Sequence, residues 1–370
     1  MRSFAYDALP GRVVFGAGSR ASLADELDAL GARRVLVVAS AAEDHVTADV
    51  TARLGDRVVG RFRDVVQHVP VAGADAARAA ATAAGADTVL TIGGGSATGF
   101  GKAIALEQDV RLAAVPTTYA GSEMTPIWGL TCGDEKRTGV DLRVKPALVV
   151  YDPELTLTLP PDIAGPSGMN ALAHCVEALY GPGANPVVSL MALEGIRALH
   201  RSLPVVCAAP TELEARTGAL YGAYLAATAL SSAGTGLHHK TCHVLGGLFG
   251  LDHAGMNAVV LGHALAYNAP AIPGLLADIE AALGTDDAPG ALHDLAADVG
   301  APVGLAALGM PEDGLDDAAR RVVAEAAGNV RPPEPEGIRR MLDDAYHGRR
   351  PRETAMDDQP RGLADTRGTR

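Results

Sequence analysis

The segment HHKTCHVLGG, residues 238–247, sets His238, His239, Cys242 and His243 within six positions. His239 and His243 stand four apart, so on a helix they share a face. Imidazoles gathered on one face can hold a metal, relay protons or stabilise developing negative charge. A further histidine, His174, lies in SGMNALAHCVEALY, with Asn170 one helical turn before it and pointing the same way. His253 follows in LDHAGMNAVVLGHAL, residues 251–265, with Asn257 in the same stretch. Cys242 reads as small packing, and His45, His68, His200 and His293 read as surface or loop positions.

A second kind of chemistry is written in glycine. In TIGGGSATGFGKA, residues 91–103, Gly93, Gly94 and Gly95 close a buried strand and Ser96 opens a helix. Backbone N–H groups left unshielded at a helix N-terminus suit a pyrophosphate. The loop is no Walker motif, because Lys102 lies too far along and no Ser or Thr follows it. The next strand ends in PTTYAGSE, residues 116–123, which brings the hydroxyls of Thr117, Thr118 and Ser122 to the same sheet edge, with Tyr119 among them. GAGSRA, residues 16–21, fits the dinucleotide fingerprint but reads as a structural turn. The strand before AAED ends in Ala39, Ser40 and Ala41, with no acid directly at its tip, and Ser40 is the polar candidate there.

These segments need a scaffold. Short β-branched runs at 33–40, 57–62, 86–95, 111–118 and 147–153 alternate with helical stretches at 22–31, 42–55, 73–86 and 96–108. That alternation implies βαβ units and a parallel sheet with flanking helices, which binds ligands at the carboxyl ends of its strands. After DPELTLTLPPD, residues 152–162, the strand signal fades into Ala- and Leu-rich helix. The expected organisation is an α/β domain over residues 1–160, an all-α domain over 161–350, and a charged, disordered tail over 351–370. The stretch 217–237 has no charge but carries Gly, Ser, Thr and Tyr, and reads as a buried core helix, not a membrane span. A net charge of -13 argues against nucleic acid or an anionic membrane as partner. Four dispersed cysteines and the absence of a signal-peptide pattern point to reduced thiols in the cytoplasm.

Taken in order, GGGSATGFGKAIAL, PTTYAGSEMTPIWGLT, VVYDPELTLTLP, SGMNALAHCVEALY, NPVVSLMALEGIRAL and LHHKTCHVLGG resemble the iron-containing alcohol dehydrogenase superfamily, most closely its maleylacetate reductase branch. The resemblance spans roughly residues 5–350 and implies an N-terminal Rossmann-like domain, a helical C-terminal domain, NADH or NADPH in the cleft, and a homodimer. Carried over from the metal-dependent members, the ligand positions are Asn170, His174, His239 and His253, whereas His243 matches a histidine near the nicotinamide. Asn170 stands where those members have Asp, and a neutral amide is a much poorer ligand for a hard cation. The expectation is therefore a metal-free site, although three imidazoles can hold zinc.

The activity so implied is reduction of the enone maleylacetate to 3-oxoadipate in aromatic-compound breakdown. Hydride addition builds enolate charge on the ketone oxygen, which His243 and His253, supported by His239 and His174, are expected to stabilise and protonate. Asn170, Tyr119 and Lys240 are candidate substrate contacts. Lys136, Arg137 and Arg143 are further partners for a small dicarboxylate. Two competing readings are a metal-dependent alcohol or aldehyde dehydrogenase and an idle dinucleotide-binding protein. Gly262, where relatives commonly show proline, leaves a related enoate or keto acid open as substrate.

Overall fold

The computed structural model describes residues 3–133 and 135–352. Six strands form one parallel sheet: β1 (Arg12–Phe15), β2 (Val35–Val38), β3 (Val58–Phe62), β4 (Thr88–Gly93), β5 (Arg111–Pro116) and, after a hairpin, β8 (Leu148–Tyr151). Their spatial order is β1-β8-β5-β4-β2-β3. β2 and β8 read VLVV and LVVY and are buried along their whole length, as expected of strands covered on both faces. The covering helices are α1 (Leu23–Leu30), α2 (Asp44–Leu54), α3 (Val71–Ala84) and α4 (Gly95–Glu107). Val35, Val37, Leu90, Ile92 and Val115 pack with α1 and α2 on one face, and Leu36, Val38, Val89 and Leu112 pack with α3 and α4 on the other.

The segment GDEKRTGVDLRVKP, expected as a basic loop, instead supplies the second strand of an antiparallel hairpin, β6 (Ile127–Cys132) with β7 (Glu135–Val140). Gly139 makes the pairing possible: a Cβ there would lie 2.6 Å from the Trp128 ring opposite. The hairpin is tied to the sheet by Lys102 of α4, whose buried Nζ donates to Ile127 O at 2.6 Å and Thr125 Oγ1 at 3.0 Å. GAGSRA is indeed a turn. Its Gly18 and Arg20 N–H groups both donate to Asp152, so the donors that a phosphate would need already have a carboxylate.

Beyond β8 the chain is helical: α5 (Pro161–Ala178), α6 (Pro186–Ala208), α7 (Leu213–Ala233), α8 (Leu237–Phe249), α9 (His253–Asn268), α10 (Pro273–Leu283), α11 (Ala288–Asp298), α12 (Leu315–Glu325) and α13 (Pro335–Tyr346). The uncharged stretch 217–237 is mostly α7, buried against α5 and α6. Among the described residues no helix is long and apolar enough to cross a membrane. Glycines let these helices approach closely: a Cβ at Gly168 would meet Leu203 at 2.2 Å, and one at Gly195 would meet Cys175 at 2.6 Å. One apolar cluster joins Ala114, Val149 and Tyr151 of the sheet to α5, α6 and α7, so sheet and helices share a core. Of the expected tail, residues 353–370 lie outside the described residues, whereas Pro351 is buried.

Burial lowers the pKa of Lys102 from 10.5 to about 7, with Glu123 partly opposing and Lys145 reinforcing the shift. The unfolded chain therefore holds the extra proton between those values. This group's contribution to stability is complete only above the upper value and is lost as pH falls toward the lower one. Urea titrations at about pH 7 and about pH 9 should show a gain in stability for the native chain that is smaller in Lys102→Met, and equal gains in both would refute this account.

Candidate active site

A cavity of about 480 Å³ opens where the carboxyl ends of β2, β4 and β5 face α5 and the start of α9. Its sheet-side wall contains Gly93, Gly94, Gly95 and Ser96, with Ser40 and Thr118 beside them. Gly93 adopts φ 136°, and a Cβ on Gly94 would lie 2.8 Å from Thr118 Oγ1, so side chains are excluded where the chain turns into α4. No side chain caps α4, which leaves its first N–H groups and positive dipole end directed at the cavity. That arrangement fits a dinucleotide pyrophosphate. Thr117 is buried and donates to Glu43 Oε1 at 2.8 Å. Ser122 begins a short 3-10 turn and does not line the cavity.

Glu43 corrects the expectation that no acid sits at the tip of β2. A 3-10 turn over Ala41–Glu43 folds the chain back and sets this half-buried carboxyl into the cavity wall. Burial raises its pKa, and the Thr117 hydrogen bond opposes that rise.

The opposite wall is one face of α5. Ile163, Pro166, Ser167 and Asn170 line the cavity at helical spacing, and His174 continues the same face one turn further. His174 and His239 stack with ring centroids 4.9 Å apart. Gly121, at φ 82°, lets the loop after β5 reach this point: a Cβ there would meet Ala227 at 2.8 Å and His174 Nδ1 at 3.7 Å. Three buried atoms in this region, Asn170 Oδ1, His174 Nδ1 and His239 Nε2, have no hydrogen-bond partner among the described residues. Each such atom costs about 1–3 kcal/mol unless something bound answers it.

What holds His239 in place is Glu177, fully buried one turn beyond His174. Its carboxylate accepts from His239 Nδ1 at 2.6 Å and from the backbone N–H groups of His238 at 2.7 Å and His239 at 3.4 Å. It thus caps α8, which begins after Gly236 with no cap of its own. Gly236 is the reason it fits, since a Cβ there would lie 3.1 Å from Glu177 Oε1. Burial alone would raise the Glu177 pKa, but the charge and hydrogen bond of His239, then His238, bring it down to about 2.

An ionised carboxylate only accepts, so Nδ1 of His239 carries its proton and Nε2 is directed away from Glu177. His238 Nε2 lies 2.9 Å from the Asn257 carbonyl, which also only accepts, and this fixes the second tautomer. Burial, then the neighbouring imidazoles His239, His238 and His253, hold the His174 pKa well below its usual value. Burial likewise brings His238 down to about 4 and pushes the Cys242 thiol up, as suits a packed, unreactive sulfur.

His253 opens α9 and lines the cavity, with Asp252 capping that helix through Gly255 N at 2.7 Å. His243 is exposed on α8, one turn past His239, and does not line the cavity. Lys240 is half-buried on the same helix and also stands outside the lining. Tyr119, expected to touch substrate, is a core residue: its ring is wholly buried and its hydroxyl lies 3.4 Å from Arg216 Nη1. Arg143 is exposed and paired with Asp141 at 2.6 Å, Arg137 is exposed, and Lys136 lies outside the residues whose side chains are described.

Among the described residues, Glu177, His238 and His239 have ligand-like spacing. Their facing atoms already bond one another, however, in a fully buried network. Of the expected ligand positions, Asn170 and His253 line the cavity whereas the stacked His174 and His239 do not; the four contain no anionic ligand, and Glu177 directs both oxygens elsewhere. Such a set does not fit ferrous iron, which pairs imidazoles with carboxylate.

Sequence profiles match residues 10–153 to "Iron-containing alcohol dehydrogenase" and residues 165–346 to "Fe-containing alcohol dehydrogenase family, C-terminal". The chain is 50% identical over 345 residues to the maleylacetate reductase of Sphingobium indicum, covering 93% of this chain and 98% of that one. It is 49% identical over 351 residues to that of Burkholderia cepacia, covering 95% and 100%. The crystal structure of maleylacetate reductase from Agrobacterium tumefaciens superposes with a TM-score of 0.91 at 46% identity, covering 95% of this chain and 100% of that one. A 1,3-propanediol oxidoreductase superposes at 0.86 with 28% identity, over 93% and 100%. The chain belongs to the iron-containing alcohol dehydrogenase family, and within it to the maleylacetate reductase branch.

Proposed function

We propose that the chain reduces the enone double bond of maleylacetate to 3-oxoadipate with NADH or NADPH, in aromatic-compound degradation and without a catalytic metal. The observation that carries this reading is the set of unpartnered buried atoms on Asn170, His174 and His239, beside a cavity whose other wall is a phosphate cradle. The names of the relatives at 49–50% identity support it.

The bound nicotinamide supplies hydride. The protein's part is to receive the charge that then develops on the substrate's ketone oxygen. Neutral, preorganised hydrogen-bonding groups in a dry site do this well. The Asn170 amide is able to present NH₂ to that oxygen, whereas His239, whose Nδ1 proton is held by Glu177, can donate through Nε2 only as the imidazolium. His174, kept neutral by burial, is a poor proton source. The carbon-bound proton is therefore assigned to an imidazole open to solvent, His253 on the cavity wall or His243 one turn beyond His239. Lys240 is the proposed partner of a substrate carboxylate. The reading also carries a division into two domains near residue 160 and a cytoplasmic homodimer.

Glu43 bears on cofactor choice. A carboxylate at the tip of β2 accepts from a ribose hydroxyl and repels a 2′-phosphate. NADH should therefore be favoured, and Glu43→Ser should raise the relative kcat/KM for NADPH by about tenfold or more. An unchanged ratio would remove Glu43 from this role.

Oxidation of NADH with enzymatically generated maleylacetate should proceed at the same rate with and without a strong chelator. Absence of turnover, together with alcohol oxidation on addition of a divalent metal, would overturn the reading in favour of a metal-dependent dehydrogenase. Glu177→Gln keeps the shape but loses the anion, and should lower kcat about 10- to 100-fold with cofactor affinity unchanged. A folded variant with native kcat would show that His239 needs no such partner.

A further inference from the structure

A second cavity, of about 570 Å³, opens in the helical half between α9, α13 and the segment after α13, and shares no lining residue with the first. We propose that it is a binding site for a small oxyanion, a carboxylate or phosphate group on a compact molecule, separate from the catalytic cleft.

The chain as a whole is acidic, at -13, yet five arginines line this cavity. Among the described residues Arg349 pairs with Asp343 and Asp344, and Arg350 with Asp287 and Asp294. Arg331 is held differently. Its Nη1 donates to the Tyr267 carbonyl at 2.7 Å, and its guanidinium lies 4.4 Å over the Tyr267 ring. Both contacts are to uncharged groups, so the cation is fixed in place without being neutralised. Arg352 makes no ion pair among the described residues. Of the two lining acids, Asp344 is engaged by Arg349 and Glu334 is exposed.

An independent observation points to a ligand. His263 lines the cavity, is only 3% exposed, and its Nε2 has no hydrogen-bond partner among the described residues. The surrounding framework is already built. A Cβ on Gly337 would lie 2.9 Å from the Tyr267 ring, so this glycine lets α13 approach the ring that carries Arg331. The Tyr267 hydroxyl then donates to Pro332 O and accepts from Glu334 N, both at 2.9 Å, which fixes the loop bearing Arg331. A fixed, unneutralised guanidinium beside an unsatisfied imidazole nitrogen selects a planar or tetrahedral oxyanion over a cation.

Isothermal titration of the full chain with inorganic phosphate, and separately with succinate, tests the site. At least one should bind saturably at one equivalent. Phosphate alone identifies a phosphoryl ligand, and succinate alone a carboxylate. Arg331→Gln, and separately Arg352→Gln, should each weaken that binding by about tenfold or more. The second variant guards against misfolding of the first, because Arg352 takes part in no side-chain hydrogen bond among the described residues. No saturable heat with either anion, or native affinity in every folded variant, overturns the proposal.

Discussion

A carboxylate in a dry interior must be answered on every side, and Glu177 is answered by a helix that has no other cap. Its oxygens take the first N–H groups of α8 and the Nδ1 proton of His239, so one ion sets the position of α8 and the rotation of a ring. The cost of desolvating it is met only when α5 and α8 are docked. His238, locked to the Asn257 carbonyl, extends the same constraint to α9. The three helices that carry the histidines are thus registered against one another by hydrogen bonds as well as by apolar packing.

The cavity follows from two walls of opposite character. On the sheet side, backbone N–H groups at an uncapped helix start offer positive potential where side chains are absent. On the helical side, the Asn170 amide lines the cavity and His239 is held at a fixed angle by Glu177. A dinucleotide and a polarised carbonyl place different demands on a protein, and each meets the wall suited to it.

Much of this was legible in the sequence. The β-branched runs, the glycine loop and the spacing of Asn170 with His174 each express a local rule with a fixed period. The hairpin was not legible, because its alternation is interrupted by Gly129 and Gly139 and its residues are mostly half-buried or exposed. Glu177 leaves a fainter signal: after Asp162 in the first turn it is the next acid in a mostly apolar helix, three residues after His174 and so on a neighbouring face. Glu43 could be found only by knowing that the chain doubles back after β2. Tyr119 is hidden for the opposite reason. Its neighbours in PTTYAGSE are polar, but the ring turns inward to Arg216, whose guanidinium is itself buried by carbonyls from Leu159 and Pro210.

Asn170 has a consequence of another kind. Asparagine and aspartate have the same shape, and this side chain sits in a helix face packed tightly enough that a larger change would be felt. Exchanging one for the other alters the charge of the centre while leaving volume, rotamer and helix undisturbed. Folding stability therefore guards this position through charge alone: an aspartate here would be a buried anion with no counter-ion among the described residues, and only a bound cation would answer it. The charge of this one side chain and the presence of a cation beside it are thereby linked, so that neither is well tolerated without the other.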